Sequence, residues 1–215
     1  MYKIALLPLV VICCVYASGC GSSSGNPSPT AFTVSIQPTG VSPKNDTVKA
    51  GDTVQFLNQV NTSLQVVSGT LTPFGNPQVV HLIVINNTGF NPAATEANLG
   101  DTVRFSNATT GTFTMDIADD NGSVVSTLTI SQGMEQDFQF PFASLFTASN
   151  RNNSLFKTTI TVFGRPNPSN VFTSPVLGIG GTFTVHFPSA GAFPYFVEDP
   201  NNPDRSFITG VITVQ

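Results

Sequence analysis

Tryptophan is absent, charged residues make up only 9% of the chain, and all three cysteines fall within the first twenty residues. Beyond Cys20 the chain therefore forms no disulfide, offers no thiolate to a metal and has no cysteine nucleophile. Long apolar runs are scarce as well. The one at residues 4–16 falls short of the roughly 20 residues that span a membrane. No later segment keeps apolar residues at helical spacing over three turns. Eight basic residues stand against twelve acidic ones, a net charge of −4, so nothing would neutralise a phosphate backbone and nucleic acid is not an expected partner. No His-Glu-x-x-His and no phosphate-cradling glycine loop is present. Gly178-Ile179-Gly180-Gly181 lies between strand-like segments and reads as a turn. No catalytic arrangement emerges, and the chain is not expected to be an enzyme.

What the N-terminus does contain is one early charge, Lys3, an uncharged apolar stretch, and then Ala17-Ser18-Gly19-Cys20. This is the layout of a signal peptide over residues 1–19. Its ending resembles the bacterial lipobox, with Ala17 where leucine is usual. The resemblance implies diacylglycerol on the Cys20 thiol, removal of the leader with Cys13 and Cys14, and acylation of the new N-terminus, palmitate being the usual chain. Two alternatives are a retained membrane helix and an ordinary cleavage that leaves Cys20 a free thiol. Once Lys3 leaves with the leader, seven basic residues face twelve acidic ones, a net charge of about −5. Residues 21–30, GSSSGNPSPT, contain no apolar side chain and read as a flexible tether spanning roughly 15–20 Å. Gly21 is not aspartate. By resemblance to Gram-negative sorting signals this favours the outer membrane, with periplasmic and cell-surface exposure both open.

Eighteen phenylalanines and many Val, Ile and Thr residues, in short alternating runs broken by Gly, Pro and Asn, predict an all-β Greek-key sandwich. A gapless repeat organises it. Residues 34–58 over 83–107 agree at ten of twenty-five positions, including Thr39-Gly40 with Thr88-Gly89, Pro43 with Pro92, Gly51-Asp52-Thr53-Val54 with Gly100-Asp101-Thr102-Val103, and Asn58 with Asn107. A weaker repeat follows, in which Phe138-Gln139-Phe140-Pro141 matches Val185-His186-Phe187-Pro188. The resulting order, two first halves and then two second halves, predicts an inner domain at 80–163 inserted into an outer one made of 31–71 and 171–215. The crossings fall in the Pro/Gly/Asn-rich segments 72–77 and 164–170. The alternative is a single elongated sandwich with similar hairpins.

The pattern Ile-x-x-x-Gly-x-x-Pro, then Gly-Asp-Thr-Val-x-Phe-x-Asn, resembles the N-terminal half of cupredoxins, and Phe187-Pro188-Ser189-Ala190-Gly191-Ala192-Phe193-Pro194-Tyr195 resembles the stretch leading into their copper loop. The resemblance implies a first histidine within 59–64 or 108–113, and a cysteine and second histidine after Pro194-Tyr195 or within 147–155. None of these stretches holds one. Blue copper requires such soft ligands, so no copper or other cofactor is expected. His81 and His186 are the only histidines and the remaining metal candidates; alternation with Val185 and Phe187 puts His186 on a solvent face. Asp116, Asp119 and Asp120 superficially offer calcium oxygens, but Asn121-Gly122 predicts a type I′ hairpin whose carboxylates are solvated. Glu198, Asp199 and Asp204 occupy the position of the copper loop and form the expected contact surface.

These readings converge on a membrane-anchored, exported lipoprotein acting as a non-catalytic structural or ligand-binding module, its partner an unidentified protein or glycan. The alternatives are copper binding or electron transfer at an unconventional site, and hydrolysis of a polysaccharide by two converging carboxylates.

Overall fold

The computed structural model describes residues 31–75 and 78–215. Cys20, the leader and the tether lie outside the described residues. The chain opens with five strands: β1 (Ala31–Gln37), β2 (Gly40–Ser42), β3 (Asn45–Val48), β4 (Thr53–Asn58) and β5 (Gln65–Thr72). Nine more follow: β6 (Val80–Asn86), β7 (Gly89–Asn91), β8 (Ala94–Asn98), β9 (Thr102–Asn107), β10 (Phe113–Ala118), β11 (Val124–Ile130), β12 (Glu135–Gln139), β13 (Ser144–Asn150) and β14 (Asn153–Phe163). The last four are β15 (Arg165–Thr173), β16 (Thr182–His186), β17 (Gly191–Glu198) and β18 (Ile208–Val214).

These strands build two sandwiches of the same plan. In the outer one, the sheet β16-β4-β1-β2 packs on β15-β5-β17-β18-β3; in the inner one, β12-β9-β6-β7 packs on β11-β10-β13-β14-β8. The all-β sandwich follows from the period-2 pattern. Along β4 the buried side chains are Val54, Phe56 and Asn58, and along β9 they are Val103, Phe105 and Asn107. Each half therefore gives one face to its own core, and the cores are separate. Phe56 packs edge-on to Tyr195 at 4.9 Å in the outer core, while Phe140 meets Phe146 at 4.5 Å in the inner one. The repeat extends to register: β1 lies parallel to β4 with Val34 opposite Phe56, and β6 lies parallel to β9 with Ile83 opposite Phe105. Pro43 and Pro92 both follow cis peptide bonds. Gly51 and Gly100 turn the chain ahead of β4 and β9 at φ 95° and 104°, where a side chain would be strained.

The inner sandwich sits where a hairpin turn would join β5 to β15. Thr72 and Arg165 are directly paired, so the chain leaves the outer sandwich and returns to it at adjacent residues. This corrects the expectation that 164–170 is a linker and that the outer domain resumes at 171. Arg165–Thr173 is a strand, with Pro166 opposite Leu71 and Pro168 opposite Gly69. Proline is tolerated because β15 is a sheet edge, where a missing N–H breaks no ladder. A second correction concerns the β10–β11 hairpin. A type I′ turn needs positive φ at both Asn121 and Gly122, but only Gly122 has it, at 78°. The Asp119 carboxylate accepts from the N–H groups of Asn121 and Ser123, and the Gly122 N–H donates to the Asp119 carbonyl. Local side-chain capture thus replaces the two-residue turn with a longer one.

The sandwiches touch closely. The β10–β11 turn carries Asp120, which pairs with Lys44 of the outer sandwich at 2.5 Å, both side chains being nearly inaccessible. Gly40 leaves room for this contact, since a Cβ there would lie 2.5 Å from the Asp120 carboxylate; its counterpart in the repeat, Gly89, has open space. Gly164 is equally constrained, with a Cβ meeting Leu71 at 2.6 Å and Ala143 at 3.2 Å.

Candidate functional site

The loop after β17 decides the character of the site. The Asp199 carboxylate accepts from the Asn201 N–H and side-chain amide, and the Asn202 N–H donates to the Asp199 carbonyl. The Ser206 hydroxyl donates to the Val197 carbonyl across the base of the loop. The same residue bridges to the inner sandwich, for its backbone exchanges two hydrogen bonds with Gly164. Arg205 extends that bridge. Its guanidinium lies 3.9 Å over the Phe163 ring and donates to Glu96 at 3.1 Å, while Phe207 meets Phe163 edge-on at 5.5 Å. The position occupied by the copper loop in the cupredoxin resemblance is therefore packed against the second sandwich.

Beside this bridge lies a cavity of about 350 Å³. The segment after β4 supplies Val60, Thr62, Ser63 and Leu64; the strand ends and loop supply Val197 to Asn202 in part, and Arg205 to Ile208; Phe163 enters from the inner sandwich. The first segment is held by Asn58, which is fully buried. Its amide donates to the carbonyls of Thr62 and Leu177, and its side-chain oxygen accepts from the Val60 N–H. Asn107 does the same in the inner sandwich, donating to Gly111 and Ile130 and accepting from Thr109. The aligned asparagines thus fasten the loop that follows the Phe-x-Asn strand in each repeat.

Of the residues singled out from sequence, Glu198 and Asp199 line this cavity together, and Asp204 does not. Asp204 is exposed in a separate depression beside Phe74 and Arg165. Burial pushes the Glu198 carboxyl above its ordinary range. His186 is exposed on β16 of the outer sandwich, whereas His81 on β6 of the inner one donates from Nε2 to Asp101 at 3.0 Å. Burial raises the Asp101 carboxyl, but His81 and the N–H groups of Val79 and Asn98 more than offset that, leaving it below its usual value. The two histidines stand on different sandwiches, and among the described residues no three His, Cys, Asp or Glu side chains gather as a metal site requires. Asp116 is engaged by Thr127 and Arg151, and Asp120 by Lys44, so the aspartates around the β10–β11 turn point to separate partners. Sequence reasoning missed Arg205, Phe163 and the Val60–Leu64 wall. Phe163 carries no local signal, because only the insertion brings it to the outer sandwich.

No protein-family profile matches the chain, and no curated protein matches it. Among solved structures it is similar to a purple cupredoxin from Nitrosopumilus maritimus, at 18% identity and a TM-score of 0.35, over 38% of this chain and 98% of that one. It is also similar to an oxidised amicyanin variant, at 12% identity and a TM-score of 0.36, over 45% of this chain and 97% of that one. A Cu(I) form of another amicyanin variant matches at 12% identity and a TM-score of 0.34, over 46% and 98%.

Proposed function

We propose that the chain is an exported lipoprotein, anchored through Cys20, whose outer sandwich binds a small organic ligand without catalysis. The observation that carries the binding half is the cavity at the pole where β4 and β17 end. It is concave, and most of the surface it presents is apolar, as in ligand sites. Blue copper at that pole would need imidazole and thiolate donors. The lining there offers hydroxyls, carboxylates, an amide and a guanidinium, and these residues do not fit the metal. Strand direction supports the anchoring half. β1 runs from Ala31, next to the tether, towards Pro38 at the cavity, so the tether and the cavity lie at opposite ends of that strand. An anchored protein would hold the cavity away from the lipid.

Replacing Cys20 with alanine is expected to move the protein from the membrane fraction to the soluble fraction in cell fractionation; continued sedimentation with membranes would contradict the anchor. Titration of the purified chain with Cu(II) separates ligand module from copper centre. The ligand reading expects no intense visible band and an unchanged melting temperature, whereas a coloured, copper-stabilised protein overturns it.

A further inference from the structure

The charged side chains of the cavity have partners, except one. Arg205 is committed to Glu96 and Phe163, Ser206 to the Val197 carbonyl, and Asp199 to its own turn. Thr62, Ser63 and Asn202 are uncharged and exposed. Glu198 is different. It is half-buried, it lines the cavity, and it makes no hydrogen bond or ion pair among the described residues. The same cavity is lined by Val60, Leu64, Phe207 and Ile208, whose side chains are hydrocarbon. Arg205 is paired with Glu96 and Asp199 is held by the amides of its own turn, so Glu198 is the carboxyl of the site left without a hydrogen-bond or ion-pair partner.

We infer that the cavity takes a small amphipathic amine, its ammonium group paired with Glu198 and its apolar body against Val60, Leu64, Phe207 and Ile208. A lone carboxylate beside a hydrocarbon wall is poorly solvated, and a cation that enters with its own apolar surface restores the lost interaction while covering the wall. An anionic ligand would meet Glu198 directly, and a neutral one would leave it uncompensated. The volume, near the lower end of the roughly 300–1,000 Å³ typical of ligand pockets, fits a single-ring or short-chain amine. Burial that raises the Glu198 pKa agrees with a carboxyl awaiting a partner. The inference rests on the ligand-module reading and narrows it to a chemical class.

Three probes of similar size separate the possibilities: 2-phenylethylammonium, 2-phenylethanol and 3-phenylpropionate, each titrated into the full chain at neutral pH with amide shifts followed by NMR. The amine is expected to shift signals in 60–64 and 197–208 saturably, at least tenfold more tightly than the alcohol, with the propionate weaker still. Glu198→Gln, at a position exposed enough to fold normally, is expected to abolish the preference of amine over alcohol. Equal binding of amine and alcohol, or a preference that survives Glu198→Gln, overturns the amine inference and leaves the ligand-module reading standing. Absence of any shift in those segments with all three probes overturns both. The amine-to-alcohol ratio in the unaltered chain carries the result even if the variant folds poorly.

Discussion

Gly210→Ala is expected to destabilise the outer sandwich by about 2–3 kcal/mol, the upper range for overpacking a filled core. A Cβ at Gly210 would lie 2.2 Å from the Tyr195 hydroxyl, 2.4 Å from the ring carbon that bears it and 2.8 Å from the Lys44 carbonyl. Tyr195 is 1% exposed and wedged edge-on to Phe56, and the Lys44 carbonyl accepts from the Val211 N–H beside the parallel pairing of β3 with β18. Tyr195 also explains how the effect can be separated from ordinary strain. Its hydroxyl is buried without a hydrogen-bond partner, and burial drives its ionisation well above the usual phenol range, with Asp46 adding to the shift. Tyr195→Phe should therefore cost nothing or stabilise slightly, because it removes an unsatisfied polar atom. It should also return part of the stability lost in Gly210→Ala, because the nearest clashing atom is gone. Urea denaturation of the two single variants and the double variant measures this; purely additive effects would show that the Cβ clash lies elsewhere.

The second large effect belongs to the buried asparagines. Asn58→Ala is expected to cost about 2–3 kcal/mol, since it strips the partner from the Val60 N–H and the Thr62 carbonyl, both partly buried, and one of two donors from the Leu177 carbonyl, which keeps the Leu64 N–H, at roughly 1–3 kcal/mol for each group left unsatisfied. Asn107→Ala should act similarly on the inner sandwich. The two variants differ in their reach. Loss of Asn58 frees the Val60–Leu64 wall of the cavity, so ligand binding should fall together with stability; loss of Asn107 should leave the cavity's affinity unchanged in the fraction that remains folded. Calorimetry for stability, combined with amide shifts at 60–64, tests both halves. A loss below about 1 kcal/mol for Asn58→Ala would mean that water replaces the side chain.

The repeat makes much of the architecture legible in the sequence. Gly51-Asp52 and Gly100-Asp101 mark turns, and Val54, Phe56, Val103 and Phe105 alternate inward because their strands have one dry face. Asn58 and Asn107 stood out as aligned residues, but their burial was not visible, for a polar side chain in a pattern of alternation reads equally as a loop entrance. At 164–170 proline and asparagine signal a linker by composition, but a sheet edge accepts the same residues, and the chain forms a strand there. At the site, the two acids of the strand end, Glu198 and Asp199, came from position in the sequence. Phe163 and the Glu96 partner of Arg205 did not, because they reach the cavity only through the docking of one sandwich against the other.

What the pole of the outer sandwich holds decides between ligand module and copper centre. The direct measurement is an amide-resolved titration of the full chain with 2-phenylethylammonium and, in parallel, with Cu(II). The amine is predicted to move the signals of 60–64 and 197–208 saturably, while Cu(II) gives no visible band and leaves those signals sharp. Selective loss of the same signals with Cu(II), accompanied by an intense visible band and no response to the amine, would contradict it.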